Sequence, residues 1–451
     1  MSEKVVNHNM KQYIVGLIAA LAVGYIVTTI PFESPYHFIL VFINAEISTI
    51  SMFAYKERPY SLHKVVNFFI LIFFVLANTI QYSHHSITSS VYVFLSVSDY
   101  EHFQTIVFLI LFSFNLGYPL LRFPLKKRNV PIFLTDSSSK YFIILSIISF
   151  LIVIYHWKDN LLALYFRGVT EVLYVPNESD TNVAGGLLFS YIFRSMPFSC
   201  FIWAAHYNLP RKTQLLLFLI MLLALFPTGL ARNTLAAYYI PVVIMKIRMM
   251  RKPNFFVGAL LVGFLFVFPL MDSFRYFLGE DYAFEYSLSF LDSMHLDSSH
   301  EFMIIMKEHL ITYGYQLLGP LLFWIPSSIW KGKPGGSGFL LANKHGEFPN
   351  ISMPFFGEGY INFGYVGVAL FTLFLIYFCA RLDSKYWKEY SKGYDSTFEP
   401  YYLVLVASMT FILRGDLMSS TAFTVGSLCN LFLTRYLVIK FSKKYKMSTC
   451  K

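Results

Sequence analysis

Apolar stretches long enough to cross a hydrocarbon core recur along almost the whole chain, near residues 13–31, 36–54, 65–82, 103–121, 140–157, 184–206, 214–230, 234–247, 253–271, 359–380, 400–413 and 420–439. A bilayer forces backbone polar groups to be satisfied within the spanning segment, so a run of such stretches folds as helices. The expectation is an all-α polytopic integral membrane protein of about twelve transmembrane helices. Composition excludes the soluble classes: hydrophobic residues are 56% and charged residues 14% of the chain, with mean hydropathy +0.54. No internal repeat, low-complexity tract or long hydrophilic domain divides residues 1–451, which read as a single membrane domain. Phenylalanine and tyrosine are abundant, and tyrosines such as Tyr13, Tyr36, Tyr155 and Tyr401 fall near span ends, as interfacial anchors do.

The net charge of +10 follows topology rather than nucleic-acid binding. Basic residues collect in every second loop: Lys4 and Lys11, then Lys56, Arg58 and Lys64, Lys126 to Arg128, Arg211 and Lys212, Lys246 to Lys252, Lys385 to Lys392 and Lys443 to Lys446. By the positive-inside rule those loops and both termini are cytoplasmic, and the loop at 273–357 faces outward. The first apolar run follows a polar start and lacks a small-x-small cleavage pattern, so it reads as the first span rather than a signal peptide. Cys200, Cys379, Cys429 and Cys450 lie in spans or the tail, where no disulfide is expected.

Residues 273–357 are the one long polar interruption, and loops on a rigid scaffold are where chemistry is placed. Within it, Phe302, Ile305, Met306, His309, Leu310 and Tyr313 keep helical spacing, followed by a dense apolar run from Leu317 to Trp330, which reads as helices lying on or dipping into the outer face. The loop ends in Trp330-Lys-Gly-Lys-Pro-Gly-Gly-Ser-Gly338 and Pro354-Phe-Phe-Gly-Glu-Gly-Tyr-Ile-Asn-Phe-Gly364. Its glycines allow close backbone approach to a ligand, but the spacing is not that of a Walker A loop.

A charge at membrane depth must meet a partner or a wet cavity. Arg194, in mid-span, is either a packing cation held by backbone carbonyls or a guanidinium lining a headgroup cavity. Arg232 and Arg275 sit on the outer side, against the positive-inside bias, where guanidinium forks match phosphate oxygens. The expectation is that Arg194, Arg232 and Arg275 converge with Lys331 and Lys333 on a pyrophosphate, while Arg414, in Arg414-Gly-Asp416, forms a local ion pair or a headgroup contact.

Glu358, His345 and Glu347 are the candidate acids and bases. Glu358 is placed one turn above an incoming span with Asn362 on the same helical face, and as a positioned carboxylate it ranks above His345. Asp292, His295, Asp297, His300 and Glu301 match no metal-ligand spacing and read as a solvated acidic loop, so no metal is assigned.

Phe226-Pro-Thr-Gly-Leu-Ala-Arg232, Phe268-Pro-Leu-Met-Asp-Ser-Phe-Arg275, the Pro326 to Pro334 segment and Gly357-Glu-Gly-Tyr-Ile-Asn-Phe-Gly364 together resemble the Wzy-type O-antigen polymerases, over roughly residues 184 to 380. The resemblance implies a GT-C-like glycosyltransferase of the bacterial inner membrane. Its substrate would be undecaprenyl-pyrophosphate-linked oligosaccharide at the periplasmic face, the growing glycan passing to the nonreducing end of an incoming unit. Arg232 and Arg275 would be the outer-loop arginines. It implies no cofactor, nucleotide sugar or obligatory metal, because the pyrophosphate bond already carries the activation, and it leaves open whether a chain-length regulator binds. The chain departs from the family in its short 158–183 loop, whose one arginine is Arg167. An O-antigen ligase acting on lipid A core and a lipid-linked oligosaccharide flippase remain alternatives.

Overall fold

A computed structural model describes residues 2–84, 93–121, 139–166, 189–273, 290–291, 296–345, 351–391 and 397–449. Those residues are helical and contain no strand. The described residues of the apolar stretches lie mostly on helix, and residues 184–188 of the sixth stretch lie outside the described residues. The helices are α1 (Ser2–Thr28), α2 (Pro35–Phe53), α3 (Leu62–His84), α4 (Val97–Leu120), α5 (Ser139–His156), α6 (190–206), α7 (Arg211–Ala224), α8 (Arg232–Lys246) and α9 (255–273). The long loop adds α10 (Ser298–Lys307) and α11 (Ser337–His345), followed by α12 (355–362), α13 (365–391), α14 (Glu399–Arg414) and α15 (Leu417–Thr449). Among the described residues, seven helices are long and apolar enough to cross a membrane.

Helix α3 is the axis of the larger core. Its side chains are buried on every side, as expected of a helix that is apolar all round. Around it pack α2, α4, α10, α12 and α13, while α5, α6, α7, α8 and α15 form a second core around Phe198, Trp203 and Phe423. Helix α14 serves both, turning Tyr402, Leu403 and Leu405 to the first and Val404 to the second.

Two features sharpen the sequence reading. Of its two alternatives for the loop helices, α10 takes the inward one: Ser298 to Met306 are all buried, and Phe302 meets Phe74, Phe103 and Tyr360. Burying Phe302, Met303, Ile304 and Ile305 contributes roughly 1.5–3 kcal/mol each, enough to offset taking the polar groups of the same helix out of water. Further along, Glu358 is not in line with the following span. Phe363 (φ −143°, ψ 20°) and Gly364 (φ +62°) break the helix, so α12 folds back on α13. The two touch backbone to backbone at Gly359 and Gly367, where a Cβ on Gly367 would lie 1.8 Å from the Gly359 carbonyl oxygen.

Two cations read as orientation signals are structural. Lys64, 1% exposed, donates through Nζ to the carbonyls of Met52 (2.7 Å) and Ala54 (2.8 Å) at the end of α2. Arg58, also buried, donates to Tyr118 Oη (2.7 Å) and Ser384 Oγ (3.4 Å). Tyr118 in turn donates to Asp383, whose carboxylate also accepts from Tyr402 Oη and the amides of Leu62 and His63. This hub ties α3, α4, α13 and α14 together at the face opposite the long loop.

Candidate functional site

The loop face is organised by one tight turn, Arg414-Gly-Asp-Leu417, between α14 and α15. Asp416 caps α15, its Oδ1 accepting from the Met418 amide (2.9 Å). Its Oδ2 accepts from the Gly338 amide (3.2 Å). The glycines beside Lys333 make this approach possible, because a Cβ on Gly336 would lie 2.3 Å from Asp416 Oδ2 and one on Gly338 would lie 1.8 Å from the Ile351 carbonyl oxygen. The glycine run thus lets a carboxylate of the protein, not a ligand, reach the backbone.

Glu358, carried on α12, meets the same turn. Its Oε1 accepts from the Leu417 amide (3.0 Å) and its Oε2 from Ser337 Oγ (2.6 Å). The carboxylate is buried and clamps α11 and α15 together. On the other side of the turn, Arg414 points to the start of α10, with Nη2 3.8 Å from Asp297 Oδ1, and also feels the field of Glu301. Arg414 therefore pairs with Asp297, while Asp416 of the same turn is held by backbone amides.

Asp297, His300 and Glu301 are buried, which corrects their reading as a solvated acidic loop; Asp292 and His295 lie outside the described residues. Packing of α10 into the core carries them inward, a consequence invisible in a segment whose polar residues look loop-like. Four carboxyls, those of Asp297, Glu301, Glu358 and Asp416, gather round a turn that carries one guanidinium. Burial pushes the Asp297 carboxyl up to about 6 against the opposing pull of Arg414, and burial raises Asp416 against the amides that hydrogen-bond it. Among the described residues no group of His, Cys, Asp or Glu has the arrangement of a metal site.

The other candidates make contacts of their own. His345 Nε2 lies 2.9 Å from Glu308 Oε1, in a surface cluster with Lys344 (2.6 Å) that holds Glu308 below the usual carboxylate range even though partial burial opposes it. Lys333 Nζ closes a loop turn by donating to the carbonyls of Phe323 (2.8 Å) and Ile325 (2.9 Å), and Lys331 is exposed. Asn362 is a pin: its Nδ2 donates to the Glu358 carbonyl (2.9 Å) and its Oδ1 accepts from the Leu317 amide (2.9 Å). Arg194 donates to the carbonyl of Ala224 (3.2 Å), which ends α7, and to that of Gly229 (3.4 Å) in the turn after it, as a packing cation would. Arg275, Arg167 and Glu347 lie outside the described residues.

Arg232 opens α8 and stacks 4.3 Å from the ring centroid of Phe268. With Asn233, Tyr239 and Thr410 it lines a largely apolar cavity of about 370 Å³ between α8, α9, α3 and α14, walled by Phe73, Phe264 and Phe268. Arg194 thus reaches carbonyls that follow α7, Arg232 the Phe268 ring and Lys333 the carbonyls of its own loop.

No protein-family model, curated protein or solved structure matches this chain.

Proposed function

We propose that this protein is an inner-membrane glycosyltransferase with about twelve spans and both termini cytoplasmic, which polymerises lipid-linked oligosaccharide repeat units at the face of the long loop. The substrate class rests on the sequence resemblance to Wzy-type polymerases. The observation that carries the enzymatic reading is the buried carboxyl cluster around the Arg414 to Leu417 turn. Desolvated carboxyls beside a lone guanidinium cost stability, and they persist where proton transfer or charge stabilisation uses them. The apolar cavity supports a lipid-linked donor, since a cation at the end of an apolar cavity suits a hydrocarbon chain bearing a phosphate.

In this scheme the glycan moves from undecaprenyl pyrophosphate to a hydroxyl of the incoming unit, and Arg232, with Arg275 as its partner in the resemblance, stabilises the charge that grows on the leaving pyrophosphate. Lipopolysaccharide from a deletion strain tests the reading. A polymerase deletion leaves core bearing a single repeat unit. Bare core identifies a ligase or flippase instead and overturns it.

A further inference from the structure

We infer that the start of α10 is the acceptor-hydroxyl site, with Asp297 as the base that receives the hydroxyl proton. The inference rests on the proposed glycosyl transfer and moves the base from Glu358 to a residue that sequence reading set aside. Both oxygens of Glu358 already accept hydrogen bonds from the protein. Asp297 differs: it is 5% exposed, its Oδ1 accepts no hydrogen bond, and Arg414 at 3.8 Å lies beyond hydrogen-bond reach. The next two residues repeat the pattern. Ser298 and Ser299 are fully buried, and their Oγ atoms have no hydrogen-bond partner.

Each such group costs roughly 1–3 kcal/mol when left unsatisfied, so three on consecutive residues at one helix end mark a place where a ligand completes the bonding. Two neutral hydroxyls beside one carboxylate suit a neutral polyhydroxylated ligand better than an anion. That is the chemistry of a sugar acceptor.

In the step, the Asp297 carboxylate takes the proton of the acceptor O–H as its oxygen bonds to the anomeric carbon of the donor. The bond from that carbon to the pyrophosphate oxygen breaks, and the electron pair leaves with the pyrophosphate. Arg414 of α14 positions the carboxylate by charge, and among the described residues Glu301 and His300 of α10 are its titratable neighbours in sequence.

The test uses the full-length protein in inner-membrane vesicles with the host's undecaprenyl-pyrophosphate-linked repeat unit as the probe, polymer being measured per amount of protein from about pH 5 to about pH 8. The wild type should rise through an inflection near pH 6. Asp297→Asn should lose roughly a hundredfold or more and also lose the inflection, and Asp297→Glu should restore part of both. Normal polymer from Asp297→Asn, or a lower plateau that keeps the inflection, overturns the inference. Should Asp297→Asn fail to accumulate, Ser299→Ala decides: a raised KM for the acceptor unit with little change in kcat supports the site, and an unchanged KM overturns it. A bare-core phenotype on deletion would instead remove the polymerase reading itself.

Discussion

Two buried charged clusters sit at opposite faces of this bundle, and they are built on opposite principles. Asp383 accepts four hydrogen bonds, from Tyr118 Oη (2.7 Å), Tyr402 Oη (2.7 Å) and the amides of Leu62 (3.0 Å) and His63 (3.2 Å), while Arg58 backs Tyr118. Its donors come from three helices and saturate the carboxylate. At the loop face, Asp297 meets Arg414 only at 3.8 Å, and its neighbouring hydroxyls are unsatisfied. A saturated buried charge fixes helices in place; an unsaturated one is held ready for something else.

The comparison breaks most readily at Asp383. Removing one partner of a buried charged network costs about 3–5 kcal/mol, and Asp383→Ala strands Arg58 and four donors at once, so the variant should fail to accumulate in membranes. Normal membrane levels by immunoblot would show that saturation there is not what holds the helices. Asp297 should behave in the reverse sense. Its folded value of about 6 lies above the ordinary 3.8, so the folded protein holds the proton more tightly and stability declines as pH climbs from about 4 to about 6, staying lower above that. Asp297→Asn removes that cost, on the order of 3 kcal/mol at neutral pH, and should raise the thermal midpoint in detergent at pH 7 while leaving it little changed at pH 4. A variant less stable than wild type at pH 7 would make Asp297 another structural hub.

The smallest effect belongs to Glu358, which resembles Asp383 in being hydrogen-bonded at both oxygens. Glu358→Gln keeps an acceptor for the Leu417 amide, and the Ser337 hydroxyl can rotate to accept from the new amide. Glu358→Ala leaves both groups unmatched and should cost roughly 1–3 kcal/mol. Midpoints measured side by side should therefore order wild type, Gln and Ala, with Gln near wild type. A Gln variant as unstable as Ala would show that the charge itself holds the turn.

Hydropathy made the membrane-type helices legible, since the described residues of the apolar stretches lie mostly on helix. It could not show that α10 is swallowed by the core, because Ser298-Ser-His-Glu301 carries the polarity of an exposed loop and only Phe302 to Met306 argue otherwise. The fold-back at Phe363–Gly364 left a signal in the glycines at 359, 364 and 367, which the helical reading of Glu358 and Asn362 passed over. Asp383 was also detectable as a lone carboxylate following an apolar run. Its partners were not, for Arg58, Tyr118 and Tyr402 are far apart in the chain and meet only when four helices pack.

The cavity beside Arg232 lies where two helices abandon the α spacing. Phe73 belongs to a π-helical stretch in α3, Ile70–Leu76, while Gly263, Phe264 and Val267 belong to another in α9, Gly263–Val267. A π turn carries one more residue than the α turn it replaces. The bore of this cavity is thus written in residue count as well as in side-chain size. Deleting one residue from Gly263–Val267 would rewind the wide turn into an α turn, drawing the helix wall in beside the cavity while leaving the residues up to Ser273 facing much as they do now. The width of this cavity is therefore set by a single codon as much as by the identity of any wall residue.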